Sequence, residues 1–135
     1  MSSLRFLYTF RSMRRPLLIS FSINFEKSNF IPVFDIAHLH ATKEFNFTIK
    51  EEFYRFFKII EKIDKIHIHF SEIDYGDSGE KSHLSLETKY EPNYKLFLEV
   101  AKEIGRELNI ILETPDLEVS AIKMKKYCLK IVYFK

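Results

Sequence analysis

The sequence predicts an α/β fold built around a parallel sheet. Strand-type segments alternate with segments of helical periodicity, and strand–helix–strand repeats form right-handed units with parallel strands. Among the 135 residues, 46% are hydrophobic and 30% are charged, which is typical of a folded protein with one hydrophobic core. A complete eight-stranded α/β barrel needs about 250 residues, so we expect at most a part of such an architecture.

Four strands and three helices are predicted along the chain. The predicted strands are Leu17–Asn24, Phe30–Ile36, Ile66–Phe70 and Asn109–Leu112. The first predicted helix begins at Thr48, which forms a capping-box pattern with Glu51, and its apolar face extends to Ile63. The second begins at Pro92-Asn93 and has an apolar face that extends to Leu108. The third runs from about Leu117 to Lys126. We expect a loop at 76–79 and an apolar tail at Cys128–Phe134.

The N-terminal residues 1–18 differ from the remainder, residues 19–135, which we expect to form the domain. Residues 1–18 contain four arginines, and no acidic residue occurs before Glu26. A transit peptide, a simple basic extension and the start of a truncated reading frame all fit this composition. The single cysteine excludes a disulfide within the chain, so we expect a reducing, cytoplasmic location. We expect no membrane span, and the net charge of +2 excludes a general polycation.

Ionisable side chains occur at the ends of three predicted strands. Asp35 is followed three residues later by His38, His69 ends the next strand, and Glu113 ends the last. The carboxyl ends of parallel strands meet at one edge of a sheet, and zinc accepts imidazole and carboxylate ligands. These four residues therefore predict a metal site. Alternatively, Asp35 is a helix or turn cap, His69 a hydrogen-bonded polar residue, and Glu113 an ordinary turn residue. The neighbouring His40 and His67 are expected either to support the ligands or to form hydrogen bonds in the core.

Four segments together resemble the endonuclease IV family of apurinic/apyrimidinic endonucleases, over about residues 30–125. Val33–Ala41 resembles the family's Asp-x-x-His strand end, and Ile68–Glu72 resembles its next strand, where a His is followed by a small polar residue and an acid. Gly79–Leu84 resembles a loop that ends in a metal-binding His, and Ile110–Pro115 resembles the last barrel strand, whose Glu binds metal.

The resemblance implies a xylose isomerase-like (β/α)8 TIM barrel, of which this chain would cover the last three to four βα units. It further implies a trinuclear zinc site, with manganese as the alternative metal, and cleavage of DNA on the 5′ side of abasic sites. The implied ligands are Asp35, His38, His69, His83 and Glu113, with Asp35 and Glu113 also catalytic.

The chain departs from the family pattern in two respects. Lys81 stands where the family has an Asp two residues before the loop His, and Glu80 lies one residue out of register. Three earlier ligands, two His and a Glu, have no counterpart in residues 1–30. We therefore expect the barrel to be completed by self-association or by a separate N-terminal half.

Two other functions stay open. A sugar isomerase or epimerase of the same superfamily would use similar strand ends around one divalent metal. A non-catalytic barrel fragment would associate with another chain through open sheet edges and apolar patches. His83 favours the nuclease, as does the absence of arginine between Arg55 and Arg106, because the epimerases tend to carry an arginine there.

Overall fold

The computed structural model describes residues 7–10 and 31–133. Six strands and four helices occur in this part of the chain. The strands are β1 (Leu7–Phe10), β2 (Ile31–Asp35), β3 (His67–Phe70), β4 (Glu72–Gly76), β5 (Gly79–Leu84) and β6 (Asn109–Leu112). The helices are α1 (Ile36–Ala41), α2 (Lys50–Ile59), α3 (Tyr94–Glu103) and α4 (Glu118–Tyr133). The predicted strand Leu17–Asn24 lies outside the described residues, and β1 occupies part of the segment expected to be an extension.

The main sheet is parallel, which confirms the predicted fold class. Its order is β1-β2-β3-β6, and all three pairings are parallel. Asp35 of β2 is level with His69 of β3, and His69 is level with Ile111 of β6. Strands β4 and β5 form a separate antiparallel hairpin. The topology therefore brings the carboxyl ends of β2, β3 and β6 to the same end of the sheet.

An aromatic core covers one face of this sheet. Phe34 of β2 packs edge-on against Phe56 of α2, with ring centroids 5.6 Å apart, and Phe70 of β3 packs against Phe97 of α3 at 5.1 Å. All four side chains are fully buried. Successive residues of a strand point to opposite faces of the sheet. Asp35, which follows Phe34, and His69, which precedes Phe70, therefore lie on the face that points away from this core.

The capping box predicted at the start of α2 is wrong. Ile49 precedes the helix without any side-chain cap, and the Thr48 hydroxyl instead donates to Asn46 Oδ1 at 2.6 Å. The helix ends at Ile59, although Ile63 beyond it is buried in the same core. The start of α3 agrees with the prediction, since the Asn93 side chain accepts the N–H groups of Lys95 and Leu96.

The C-terminal apolar segment continues a helix rather than forming a tail. Helix α4 extends past the predicted end at Lys126 to Tyr133. Met124, Cys128 and Ile131 recur at helical spacing and pack against the core, so the apolar residues belong to one helix face. Across the described residues, no helix combines the length and hydropathy that crossing a bilayer requires.

The predicted loop at 76–79 is the turn of the β4–β5 hairpin. Its two strands were missed because β5 is largely exposed and carries the polar run Glu80-Lys81-Ser82 instead of a hydrophobic alternation. The pairing also shifts register between Asp74 and Tyr75. Such a strand lacks the period-two signal on which strand prediction depends.

Candidate metal centre

One group of possible ligands lies at the carboxyl edge of the main sheet. Ligand atoms of Asp35, His69 and Glu113 all lie within 4.8 Å of one another. His69 Nδ1 is 2.7 Å from Glu113 Oε1. The backbone N–H of Glu113 donates to the carbonyl of Phe70 at 3.0 Å, which continues the β3–β6 pairing to the site. We call these three residues the strand-end group.

A second group combines a helix with the hairpin. Ligand atoms of His38, Glu80 and His83 also lie within 4.8 Å of one another. His38 Nε2 contacts Glu80 Oε2, and His83 Nε2 is 3.0 Å from Glu80 Oε1. The rings of the two histidines pack edge to face, with centroids 5.6 Å apart. We call these residues the hairpin group.

Asp35 joins the two groups. Its Oδ1 accepts the backbone N–H of His38 at 3.0 Å, so it is the N-cap of α1, as the alternative interpretation proposed. Its Oδ2 contacts His38 Nδ1, which turns His38 Nε2 toward Glu80. A carboxylate that fixes one imidazole nitrogen while the other binds metal is a recurring arrangement in metal sites. Capping and site assembly are therefore functions of one side chain.

Ser71 orients the second histidine of the hairpin group. The Ser71 Oγ lies 2.6 Å from His83 Nδ1, and Ser71 is buried. When Nδ1–H donates to this hydroxyl, the lone pair of the neutral imidazole lies on Nε2, the atom that faces Glu80. The contact is compatible with the tautomer that a metal ligand needs, and it holds the His83 ring in place.

A β-bulge explains how Glu80 enters the hairpin group. Asp74 pairs with Ser82 and Tyr75 pairs with Glu80, so Lys81 is an extra residue with no partner on β4. In a regular strand Lys81 would share a face with His83, but one inserted residue brings Glu80 to that side instead. In the sequence Glu80 lies one residue out of register with the family's acidic ligand, and the bulge compensates for this shift. Glu80 was left out of the predicted ligand set because a bulge has no clear sequence signal.

Glu72 holds the segment behind the hairpin. Its fully buried carboxylate accepts backbone N–H groups from four consecutive residues, Glu87, Thr88, Lys89 and Tyr90. Two of these residues, Glu87 and Tyr90, have positive φ angles of 69° and 57°. Such a conformation is uncommon for residues other than glycine, and here it turns the amides toward one anion. Glu72 therefore fixes residues 87–90 against β4.

The other two histidines belong to neither group. His40 Nδ1 accepts the N–H of Phe47 at 3.1 Å, and the His40 ring packs edge-on against Tyr75 at 5.1 Å. Burial lowers the pKa of His40, although Glu91 at 3.6 Å opposes this effect. His67 lies one pleat below His69, and its buried Nδ1 finds no hydrogen-bond partner among the described residues.

The donor sets of both groups suit a divalent cation. Each offers imidazole nitrogen together with carboxylate oxygen, a mixture that zinc accepts, whereas a more oxygen-rich set would suit manganese. All five residues predicted as ligands fall within the two groups: Asp35, His69 and Glu113 in one, and His38 and His83 in the other. Their roles as ligands stay a prediction, and Glu80 is the residue that the prediction lacked.

Comparisons with known proteins define the fold more closely than the activity. No protein-family model matches the chain. An uncharacterised protein of Methanocaldococcus jannaschii is 32% identical over 108 residues, covering 73% of this chain and 38% of that protein. The crystal structure of a D-tagatose 3-epimerase-like protein is similar with a TM-score of 0.51 and 24% identity, over 96% of this chain and 46% of that one.

Nearly the whole of this chain therefore has a fold that matches about half of that solved structure. It spans less than half the length of each of these two proteins. The likeness supports the expected barrel-type fold, while the superfamily and the narrower resemblance to endonuclease IV stay predictions.

Proposed function

We propose that this chain is the metal-binding part of a zinc-dependent endonuclease that cleaves DNA on the 5′ side of abasic sites. The observation that carries the proposal is the presence of two ligand groups joined through Asp35 and His38. A sugar epimerase built around one divalent metal would need only the strand-end group. A second group immediately beside it favours a reaction that uses more than one ion.

Phosphodiester hydrolysis is a reaction for which enzymes commonly use two metal ions. A bound divalent cation lowers the pKa of water and stabilises charge on the attacking and departing oxygens, and two-metal sites divide these tasks. In this chain the strand-end group would hold one ion and the hairpin group another. Asp35 would bind the first ion through its carboxylate and keep His38 oriented toward the second.

Glu113 is the proposed proton acceptor of the reaction. It ends β6 at the edge of the site, and its side chain is 33% exposed, against 1% for Asp35. Its contact with His69 Nδ1 at 2.7 Å fixes Oε1, while the exposed fraction leaves the carboxylate within reach of a substrate phosphate and its attacking water. The proposed catalytic role of Asp35 is to position His38 and the ion in the strand-end group.

A sugar epimerase is the second candidate, because the similar solved structure is described as D-tagatose 3-epimerase-like. At 24% identity this likeness supports a shared fold, and the chemistry must be tested directly. The two candidates differ in substrate and in the need for the hairpin group. An epimerase would retain turnover when Glu80 is changed, whereas the proposed nuclease would lose it.

The test is cleavage of a DNA duplex that contains one stable abasic analogue, by the zinc-loaded chain. We expect a single nick 5′ to the analogue, and a loss of at least about 100-fold for Asp35→Asn and for Glu113→Gln, as is usual for groups that stabilise a transition state. Glu107→Gln changes an exposed carboxylate outside both groups and serves as the control. Folded, zinc-loaded protein that leaves the duplex intact would overturn the nuclease proposal, and ketose epimerisation by the same sample would support the alternative.

A further inference from the structure

We infer that Ser120 is a positioning residue, which fixes Glu113, the proposed proton acceptor, relative to the hairpin group. The inference rests on the proposed function for the role of Glu113, while the contacts that carry it are made by residues outside both ligand groups. Ser120 lies in the first turn of α4 and is fully buried. Because a buried hydroxyl needs hydrogen-bond partners, its contacts show which segments it holds together.

The Ser120 hydroxyl donates one hydrogen bond and accepts another. It donates to Asp116 Oδ1 at 2.6 Å and accepts the buried backbone N–H of Leu86 at 3.1 Å. Burial raises the pKa of Asp116, but hydrogen bonds from side-chain hydroxyls, of which that of Ser120 is the largest, lower this pKa overall. Asp116 therefore stays a carboxylate, which keeps the hydroxyl proton on its side and leaves a lone pair for the Leu86 N–H.

Asp116 belongs to the turn that joins Glu113 to α4. Within this turn the Leu117 N–H donates to the Thr114 carbonyl at 3.1 Å, and Leu117 has a φ of 48°. A positive φ is unfavourable for a leucine, so the turn needs outside contacts to keep its shape. The Glu113 N–H bonds the strand side of the turn to β3, and the Ser120 hydroxyl holds its helix side through the Asp116 carboxylate.

Leu86 belongs to the segment that leads away from the hairpin group. His83 lies three residues before it, and residues 87–90 after it donate their backbone N–H groups to the Glu72 carboxylate. This segment is therefore bonded to β4 through Glu72 and to α4 through Ser120. A single hydroxyl thus connects the chain that leaves the hairpin group with the turn that follows the strand-end group.

The proposed role of Glu113 makes this connection matter for the reaction. A proton acceptor works only within hydrogen-bond distance of the water that it activates, and a displacement of about 1 Å can reduce a rate about 100-fold. The Glu113 side chain is 33% exposed, so packing alone does not immobilise it. Ser120 limits the displacement by fixing the backbone of the turn, and it does so relative to the segment that carries His83.

The first experiment compares amide hydrogen exchange, measured by NMR on the metal-free full chain, between the wild type and Ser120→Ala. Phe56, in the middle of α2, reports the general loss of stability. We expect the amides of Leu86 and Glu113 to gain at least about 10-fold more in exchange rate than the Phe56 amide, because the two segments held by the hydroxyl open locally. Val119→Ala, at the neighbouring and half-exposed position of α4, is the matched control and should leave these rates unchanged.

The second experiment measures cleavage of the abasic duplex by the zinc-loaded variants. Ser120→Ala should lower kcat about 10-fold and leave KM unchanged, because DNA still binds while Glu113 is misplaced. Asp116→Ala should have the same effect. Asp116→Asn keeps an oxygen that can accept the Ser120 hydroxyl, so it should restore kcat to near the wild-type value.

The two experiments separate this inference from the proposed function. Failure of the wild type to cleave DNA would overturn the proposed function, and the exchange rates would still decide whether Ser120 holds the turn. Faster exchange confined to Leu86, or an equal gain at Phe56, would overturn the inference, because the Glu113 turn would then be independent of the hydroxyl. A cleaving chain whose kcat is unchanged in Ser120→Ala would overturn it as well.

Discussion

The strand-end group and the hairpin group lie side by side but depend on different parts of the fold. Asp35, His69 and Glu113 come from the ends of three adjacent strands in one parallel sheet, whose pairing sets their spacing. The hairpin group combines His38, from a six-residue helix, with two residues of a two-stranded hairpin. An aromatic core stabilises the first arrangement, while the second depends on a bulge and a few buried polar contacts.

This difference shows how the carboxyl end of a sheet can acquire a second group of possible ligands. The sheet alone gives one cluster of ligands at its carboxyl edge. A hairpin inserted after β3 adds a second cluster, provided that Glu80 and His83 face the same side and the hairpin is held in place. The bulge at Lys81 satisfies the first condition, and the contacts of Ser71 and Glu72 satisfy the second.

The largest effect is expected at Asp35, the residue shared by the two groups. Asp35→Ala should abolish zinc binding by both groups, because it removes a ligand from one and the orienting partner of His38 from the other. It also removes the α1 cap, at a cost of about 1 kcal/mol in stability. Metal analysis of folded protein checks this, with Asp77→Ala in the exposed hairpin turn as the control. Two retained ions would contradict the linkage.

Changes to one group alone should separate the two ions. Glu80→Gln should remove the ion of the hairpin group and leave the other, and Glu113→Gln should have the reverse effect. Metal content and competitive chelation, measured on both variants, test this reciprocity. Lys81→Gln is the matched control for Glu80, because Lys81 is the extra residue of the bulge and belongs to neither group. Loss of both ions from either single variant would show that the groups are not separable.

Removal of the Glu72 carboxylate should weaken the support behind the hairpin. Glu72→Ala leaves amides of residues 87–90 without their acceptor, and we expect a loss of about 3 kcal/mol in the free energy of unfolding. Urea denaturation measures this change. Asp74→Asn is the control, since the exposed Asp74–Lys89 ion pair should contribute less than about 1 kcal/mol. Equal losses in the two variants would argue against a structural role for the Glu72 carboxylate.

The smallest effect is expected at Ser71. Ser71→Ala should weaken zinc binding by the hairpin group about 10- to 100-fold, because His83 loses the hydrogen-bond partner that holds its ring in place. The strand-end group should keep its affinity, and Ser82→Ala, an exposed serine on the same hairpin, should leave both affinities unchanged. A uniform weakening of both groups would indicate a general loss of structure instead.

The strand-end group was predictable because it follows from chain order. Once β2, β3 and β6 are recognised as parallel strands, their terminal residues Asp35, His69 and Glu113 must lie at one edge, whatever the details of packing. The hairpin group was predictable only in part. His38 was predicted from its position three residues after Asp35, whereas His83 was assigned through a family resemblance. Glu80 was set aside because the shift of one residue is produced by a bulge that no local pattern reveals.

The extent of α4 illustrates a further limit of the sequence. The segment after Lys126 was interpreted as a tail because its apolar residues are dense, which obscures their helical period. In the structure Met124, Cys128 and Ile131 pack against the core, while Leu129 and Val132 are exposed. Tertiary packing therefore separates two apolar sides of one helix, a distinction that hydrophobicity alone does not make.

The number of zinc ions bound per folded chain tests the central claim most directly. The chain is loaded with zinc, dialysed free of excess metal, shown to be folded by circular dichroism, and measured by elemental analysis. Two separate ligand groups predict two ions per chain. A folded chain that retains one ion would remove the distinction on which the nuclease proposal depends, and one that retains none would contradict the metal centre itself.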